Sequence, residues 1–198
     1  TLSTQLITYG LYLTLSNAAQ ISNLDASYTS DLVIKPMFRL GNTPVMSYVA
    51  FAIIVTAIMW FIWNKTTFGK NMFAVGGNSE AAEVSGVSVT KTIMGVFLYA
   101  GLMYGIASFL EGARIQSVGT ATGINYELDA IAGCVIGGVS FNGGIGTVPG
   151  VVIGSIILQA INYGLYFLGV NAYLQYIIRG AIIIIAVAID VQKYVAKK

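Results

Sequence analysis

Histidine does not occur in the 198-residue chain. Its absence removes imidazole metal ligands, imidazole proton relays and every Ser-His or Cys-His nucleophilic pair. Cysteine is nearly missing too. Cys134 stands alone in an apolar run, so no disulfide forms within the chain and the redox compartment stays open. Charge is equally scarce: Asp, Glu, Lys and Arg make up 9% of residues, where soluble domains average about 25%. The net charge of +2 is scattered, which excludes the clustered basic face that nucleic acid requires. No GxxxxGK[ST] phosphate loop is present, so the chain does not hold ATP in that manner. Gly144-x-Gly146 runs into Thr147-Val148-Pro149 and lacks the strand and acidic partner of a dinucleotide site. No carboxylate pair lies midway along an apolar run, where proton or sodium coupling would place one. Neither a metal nor a cofactor is expected, and the chain does not read as an enzyme.

What is present is apolar length. AVILMFWYC make up 56% of the residues. Pro44 to Trp63 and Thr92 to Leu110 are uncharged runs of about the length a helix needs to cross a bilayer, and Ala130 to Ile178 carries no charge at all. That last stretch must contain more than one crossing, with Gly143-Gly144-Ile145-Gly146 as its natural turn. The expected fold is all-α, a polytopic transmembrane helical bundle. It has about five full spans, at 44–63, 92–110, 128–142, 147–168 and 172–190. A re-entrant hairpin at 128–142 is the alternative to a crossing there. The first run, Leu2 to Leu15, is short for a crossing and lacks signal-peptide features. It reads as the end of a truncated N-terminal span, and residues 1–198 as the C-terminal part of a longer protein with one transmembrane domain.

Residues 17–42 are polar and mixed in sign, as an extramembrane loop would be. Trp60 and Trp63, followed by Lys65 and Lys70, mark a cytoplasmic edge under the positive-inside rule. The loop at 64–91 is then cytoplasmic. Four further crossings return the chain to the cytoplasm at Lys193, Lys197 and Lys198.

The longest polar interruption in the middle of the chain, Gly76 to Val87, lies between two of these spans. Asn78 or Ser79 can cap a helix, Glu80 would sit in its first turn, Ala81 and Ala82 favour helix, and Gly86 offers a stop. A short helix there is an exposed handle tied to spans at both ends.

Small residues recur at four-residue spacing at Gly101 and Gly105, at Gly133 and Gly137, and at Gly146, Gly150 and Gly154. Such spacing lets membrane helices approach closely, either within one chain or between subunits. Polar groups inside the apolar runs are Asn142, Gln159, Asn162, Gln175 and Arg179, and Asn142, Gln159, Asn162, Tyr163 and Arg179 are the candidates for a sugar path. Gln159, Asn162 and Tyr163 fall within about one helical turn, where they either offer amide and phenol groups to a polar solute such as a sugar or bond between helices. Arg179 either snorkels to the outer leaflet or lines a pathway. Glu111 and Arg114, three apart, pair locally. Glu127 and Asp129 form the hydrophilic edge of a span or a vestibule.

Several blocks carry a family likeness. Glu80-Ala81-Ala82-x3-Gly86 is joined by Tyr126 to Ala132, by Gly137 to Gly150, and by Gln175-Tyr176-Ile177-Ile178-Arg179-Gly180. Together they resemble the permease subunits of bacterial ABC importers for ribose, xylose and galactose. Trp63-Asn64-Lys65-Thr66 and Ile161-Asn162-Tyr163-Gly164-Leu165 point toward the galactose/methyl-galactoside branch. The likeness covers essentially the whole chain, although family members have further spans upstream. It implies a multi-pass permease of the bacterial inner membrane that imports a monosaccharide at the expense of ATP hydrolysed by a separate ATPase subunit. A periplasmic sugar-binding protein and a second permease copy are the other implied protein partners. Asn78, Glu80, Ala81, Ala82 and Gly86 become the ATPase-coupling helix. An ATP-independent secondary transporter or channel for a small polar solute is the alternative.

Overall fold

Helices make up most of the computed structural model, which describes residues 2–22, 24–25, 28, 36–40 and 43–195. They are α1 (Leu2–Ser16), α2 (Ser47–Lys65), α3 (Thr67–Gly77), α4 (Ser79–Val84), α5 (Val89–Ile115), α6 (Tyr126–Ile136), α7 (Val148–Phe167) and α8 (Ala172–Val195). A short antiparallel hairpin, β1 (Pro36–Leu40) with β2 (Thr43–Met46), precedes α2. The apolar run expected to cross from residue 44 therefore starts its helix at Ser47, because the hairpin takes up its first residues. Much of the expected polar loop at 17–42 lies outside the described residues, as do Lys197 and Lys198.

Length and exposure together define a membrane protein. Among the described residues α2, α5 and α7 are long and apolar enough to cross a bilayer, and α8 holds a shorter apolar stretch, Tyr173–Ala188. Their outer surfaces display large apolar side chains such as Ile53, Phe61, Leu98, Leu102, Ile153 and Ile177, all exposed. Water would penalise such a surface, whereas lipid tails are as apolar as the side chains themselves. At 27 residues α5 overruns the expected 92–110 at both ends. Its length of about 40 Å matches a bilayer with its headgroups. The overrun carries the Glu111–Arg114 pair, whose guanidinium donates to both carboxylate oxygens at 2.6 and 2.7 Å.

The 128–142 segment differs from the expected crossing. Its helix, α6, has 11 residues, about 16 Å of rise against a hydrocarbon core of about 30 Å. Gly138 ends it at φ +84°, with the Gly138 N–H donating to the Val135 carbonyl and the Val139 N–H to the Cys134 carbonyl. This paired left-handed glycine stop recurs at Gly86 after α4 and at Gly169 after α7.

The chain divides into two compact units, residues 1–55 with 97–124 and residues 56–96 with 125–198. In the first, the backbones of Ile21 and Val118 bond to each other, and the Tyr28 hydroxyl donates to the Phe109 carbonyl at 2.6 Å. In the second, α6 and α7 form an antiparallel helical hairpin. A Cβ on Gly137 would lie 2.8 Å from Val151 Cα, and one on Gly154 would lie 2.8 Å from Gly137 Cα. The two backbones therefore touch along a seam of Gly133, Gly137, Gly150 and Gly154 that has no room for a side chain. Gly101 and Gly105, which share the spacing, have open space around them.

Candidate functional site: a capped surface helix and its supports

Thr66 alone separates α2 from α3. Its hydroxyl donates to the Ile62 carbonyl at 2.6 Å and accepts from the Gly69 N–H at 3.2 Å, so one side chain closes the first helix and opens the second. The reversal is tight enough that a Cβ on Gly69 would meet the Ile62 carbonyl oxygen at 2.6 Å. The Trp63 and Phe73 rings, 5.9 Å apart and edge to face, hold α3 back against α2. The sequence reading treated 64–77 as loop; three glycines and the lack of a long apolar run concealed this helix.

Asn78 repeats the arrangement between α3 and α4. Its N–H donates to the Ala74 carbonyl at 3.0 Å and its side-chain oxygen accepts from the Ala81 N–H at 3.0 Å. The helix it opens is the one expected from the sequence, with Glu80 in the first turn and Gly86 beyond the end at φ +83°. Ala82 is buried, at 5% exposure, while Glu80, Ala81, Glu83 and Val84 are exposed. Ala82 thus anchors a surface helix that turns two carboxylates and an apolar tip outward.

The root of this handle rests on the turn between α6 and α7. A Cβ on Gly76 would lie 2.9 Å from Gly144 N, and one on Gly144 would lie 2.7 Å from Gly77 Cα. Gly143 and Gly144 both adopt positive φ, +86° and +69°. The turn is internally bonded, Ser140 N–H to Ile145 carbonyl at 3.1 Å and Gly143 N–H to Ser140 carbonyl at 3.2 Å. Thr147 then caps α7, accepting from the Gly150 N–H at 3.2 Å.

The residues considered for a sugar path are not gathered in one place. Asn142 is exposed on the turn, whereas Asn162 lies about 21 Å along α7 from its start. Asn162 is buried on the α7 face that also carries Gly154 and Leu158, and its Oδ1 has no hydrogen-bond partner among the described residues. Gln159 and Tyr163 are exposed, Tyr163 at 74%. Gly150 and Gly154 sit in the α6–α7 seam, and Gly146 lies against Val139.

Arg179 on α8 is paired. Its Nη1 donates to Asp129 on α6 at 3.3 and 3.5 Å, and both side chains are mostly buried. Sequence reasoning missed this pair, although one signal was available. Asp129 and Arg179 are the two charges that bracket the charge-free stretch 130–178. Two half-buried charges of opposite sign, each without another ionic partner within its run, are natural mates. Breaking the pair by Arg179→Gln is expected to cost about 2 kcal/mol of stability, reduced from the fully buried case by partial exposure. The exchange Asp129→Arg with Arg179→Asp should restore at least half of it. The measurement is thermal unfolding of the full-length protein in detergent. Additive losses in the exchanged protein would show that the contact contributes nothing.

Exposed apolar helices of membrane-crossing length define a multi-pass helical membrane protein, here with a capped surface helix between two of them. Comparison with known proteins makes that class specific: residues 1–187 match the family described as branched-chain amino acid transport system / permease component, and the chain belongs to that family. The galactose/methyl galactoside import permease protein of Escherichia coli (strain K12) is 50% identical over the whole chain, which covers 59% of that relative. The corresponding protein of Haemophilus influenzae is 47% identical, again over the whole chain and 59% of the relative. The ribose import permease protein of Bacillus subtilis (strain 168) is 35% identical over 98% of the chain and 59% of the relative. The chain thus spans about three-fifths of the length of these relatives. No solved structure matches it.

Proposed function

We propose that the full-length protein is the membrane-spanning permease subunit of an ATP-driven importer for a monosaccharide, galactose or methyl galactoside. The observation that carries this reading is α4, a six-residue helix held at its root by Asn78 and Ala82 and offering Glu80, Glu83 and Val84 to a partner. Half the residues of this chain recur in a galactose/methyl galactoside permease, and the family description alone, which names branched-chain amino acids, is broader than that.

In this reading the loop at 64–91 is cytoplasmic and the membrane is the bacterial inner membrane. A separate ATPase subunit hydrolyses ATP and grips the exposed Glu80 and Ala81 of the helix that Asn78 opens, Ala82 anchors and Gly86 ends. A periplasmic binding protein delivers the sugar to a pair of permease copies. Gln159 and Tyr163, one turn apart on the exposed face of α7, offer an amide and a phenol to sugar hydroxyls, with Asn162 on the adjoining buried face. Asn142 lies at the handle, outside that group. Arg179 is assigned to holding α8 against α6 through Asp129.

The test is mild-detergent purification of the full-length protein from its native membrane, with partners identified by mass spectrometry, and uptake of labelled galactose and leucine compared in the same cells. Recovery of an ATPase subunit together with saturable galactose uptake is the expected result. A permease that purifies alone and imports its solute undiminished after ATP depletion at constant ion gradients would overturn it in favour of a secondary transporter.

A further inference from the structure

We propose that the contact between Gly76-Gly77 and Gly143-Gly144 is the joint through which displacement of α4 reaches the α6–α7 hairpin. This rests on the importer reading and adds the route by which the handle acts. A lever transmits movement only where no link in it is slack, and each link here is closed. Asn78 joins α3 to α4 through backbone and side-chain bonds on either side of a single residue. Immediately before it, Gly76 and Gly77 meet Gly143 and Gly144 backbone to backbone. Cβ atoms would fall 2.9 Å from Gly144 N and 2.7 Å from Gly77 Cα, closer than real Cβ atoms approach backbone. Two rigid main-chain surfaces in contact cannot absorb a push by changing rotamers, as an intervening side chain would.

Beyond the joint the path remains stiff. The Ser140 and Gly143 bonds brace the turn, Thr147 caps α7, and the glycine seam locks α6 to α7. The Asp129–Arg179 pair then ties α6 to α8. Movement of α4 is thereby delivered to α6, α7 and α8 at once. At Gly76 the contact alone calls for glycine: the residue has no positive φ and lies in a helix, where alanine is the better helix former.

That makes Gly76→Ala the discriminating variant, because it favours α3 locally and disturbs only the contact. The experiment reconstitutes the full-length permease with its ATPase subunit and binding protein in proteoliposomes and records galactose uptake per ATP hydrolysed, normalised to inserted permease. Gly76→Ala is expected to keep the ATPase subunit through co-purification and to lower uptake per ATP by about tenfold, within the range by which residues along a coupling path act. Gly77→Ala, whose Cβ would lie 4.0 Å from Gly144 Cα in ordinary contact, and Gly101→Ala, in open space, should stay near wild type. An unchanged ratio in Gly76→Ala overturns the joint while leaving the importer intact. A Gly76→Ala protein that fails to insert also overturns it, because the contact then serves folding. If the wild-type protein recruits no ATPase, the importer reading fails before the joint is tested.

Discussion

Reversing the charge of Glu80 in the full-length protein is expected to lower sugar uptake by about a hundredfold, the scale on which an interface charge acts when its partner is left facing like charge. Insertion into the membrane should be unchanged. Glu80 lies exposed in the first turn of α4. Its contribution to the helix itself is the attraction of a carboxylate to the N-terminal dipole, about 0.5 kcal/mol. Lysine there weakens a helix already fixed by Asn78 and the buried Ala82, so the fold survives and the loss belongs to the surface presented outward. Gly86→Asp reaches the same end by another route. Gly86 ends α4 at φ +83°, a torsion that costs a side-chain-bearing residue about 1 kcal/mol, less for Asp than for most. The distortion falls on the last turn, where Val84 is displayed. Galactose uptake and membrane abundance measured together decide the matter. Normal uptake in both variants would remove α4 from the coupling role.

The second large effect is structural. Gly154→Leu places four carbons where a single Cβ would already lie 2.8 Å from Gly137 Cα, with the Gly133 carbonyl closer still. Backbone cannot rotate aside as a side chain does, so α6 and α7 must separate. The expected cost is about 3 kcal/mol or more, at the upper end of overpacking. Thermal unfolding of the full-length protein in detergent should fall by about 10 °C. Gly101→Leu, with nothing near its Cβ, should leave the transition within about 2 °C of wild type under the same conversion. Equal losses at the two positions would mean that the seam is no tighter than the rest of the bundle.

The contrast between Gly154 and Gly101 shows where sequence reading stops. Spacing alone put both in small-residue stripes, and only the partner helix distinguishes a seam from an open face. Long uncharged runs revealed α2, α5 and α7 because hydropathy over about 20 residues is a local property. The handle was legible for a similar reason: cap, first-turn carboxylate, alanines and terminal glycine act within one short segment. The α3 helix was not, since its stability comes from Thr66, the Trp63–Phe73 contact and the reversal at Gly69 more than from its own composition. The Asp129–Arg179 pair and the Gly76–Gly144 contact join residues far apart in sequence, and such pairings are fixed by the fold. Nor does spacing show that one turn of α7 buries Asn162 while Gln159 and Tyr163 stay exposed.

A helix of six residues has too few internal bonds to persist in water by itself. Cut from the chain, the segment 76–87 would be a fluctuating peptide, and its recognition surface would vanish with the frame that supports it. On the importer reading, an ATPase can therefore engage only a permease whose α2–α3 reversal and α6–α7 turn are already in place, so the capped handle serves as a built-in check on assembly, reporting to the cytoplasm that the membrane part has finished folding.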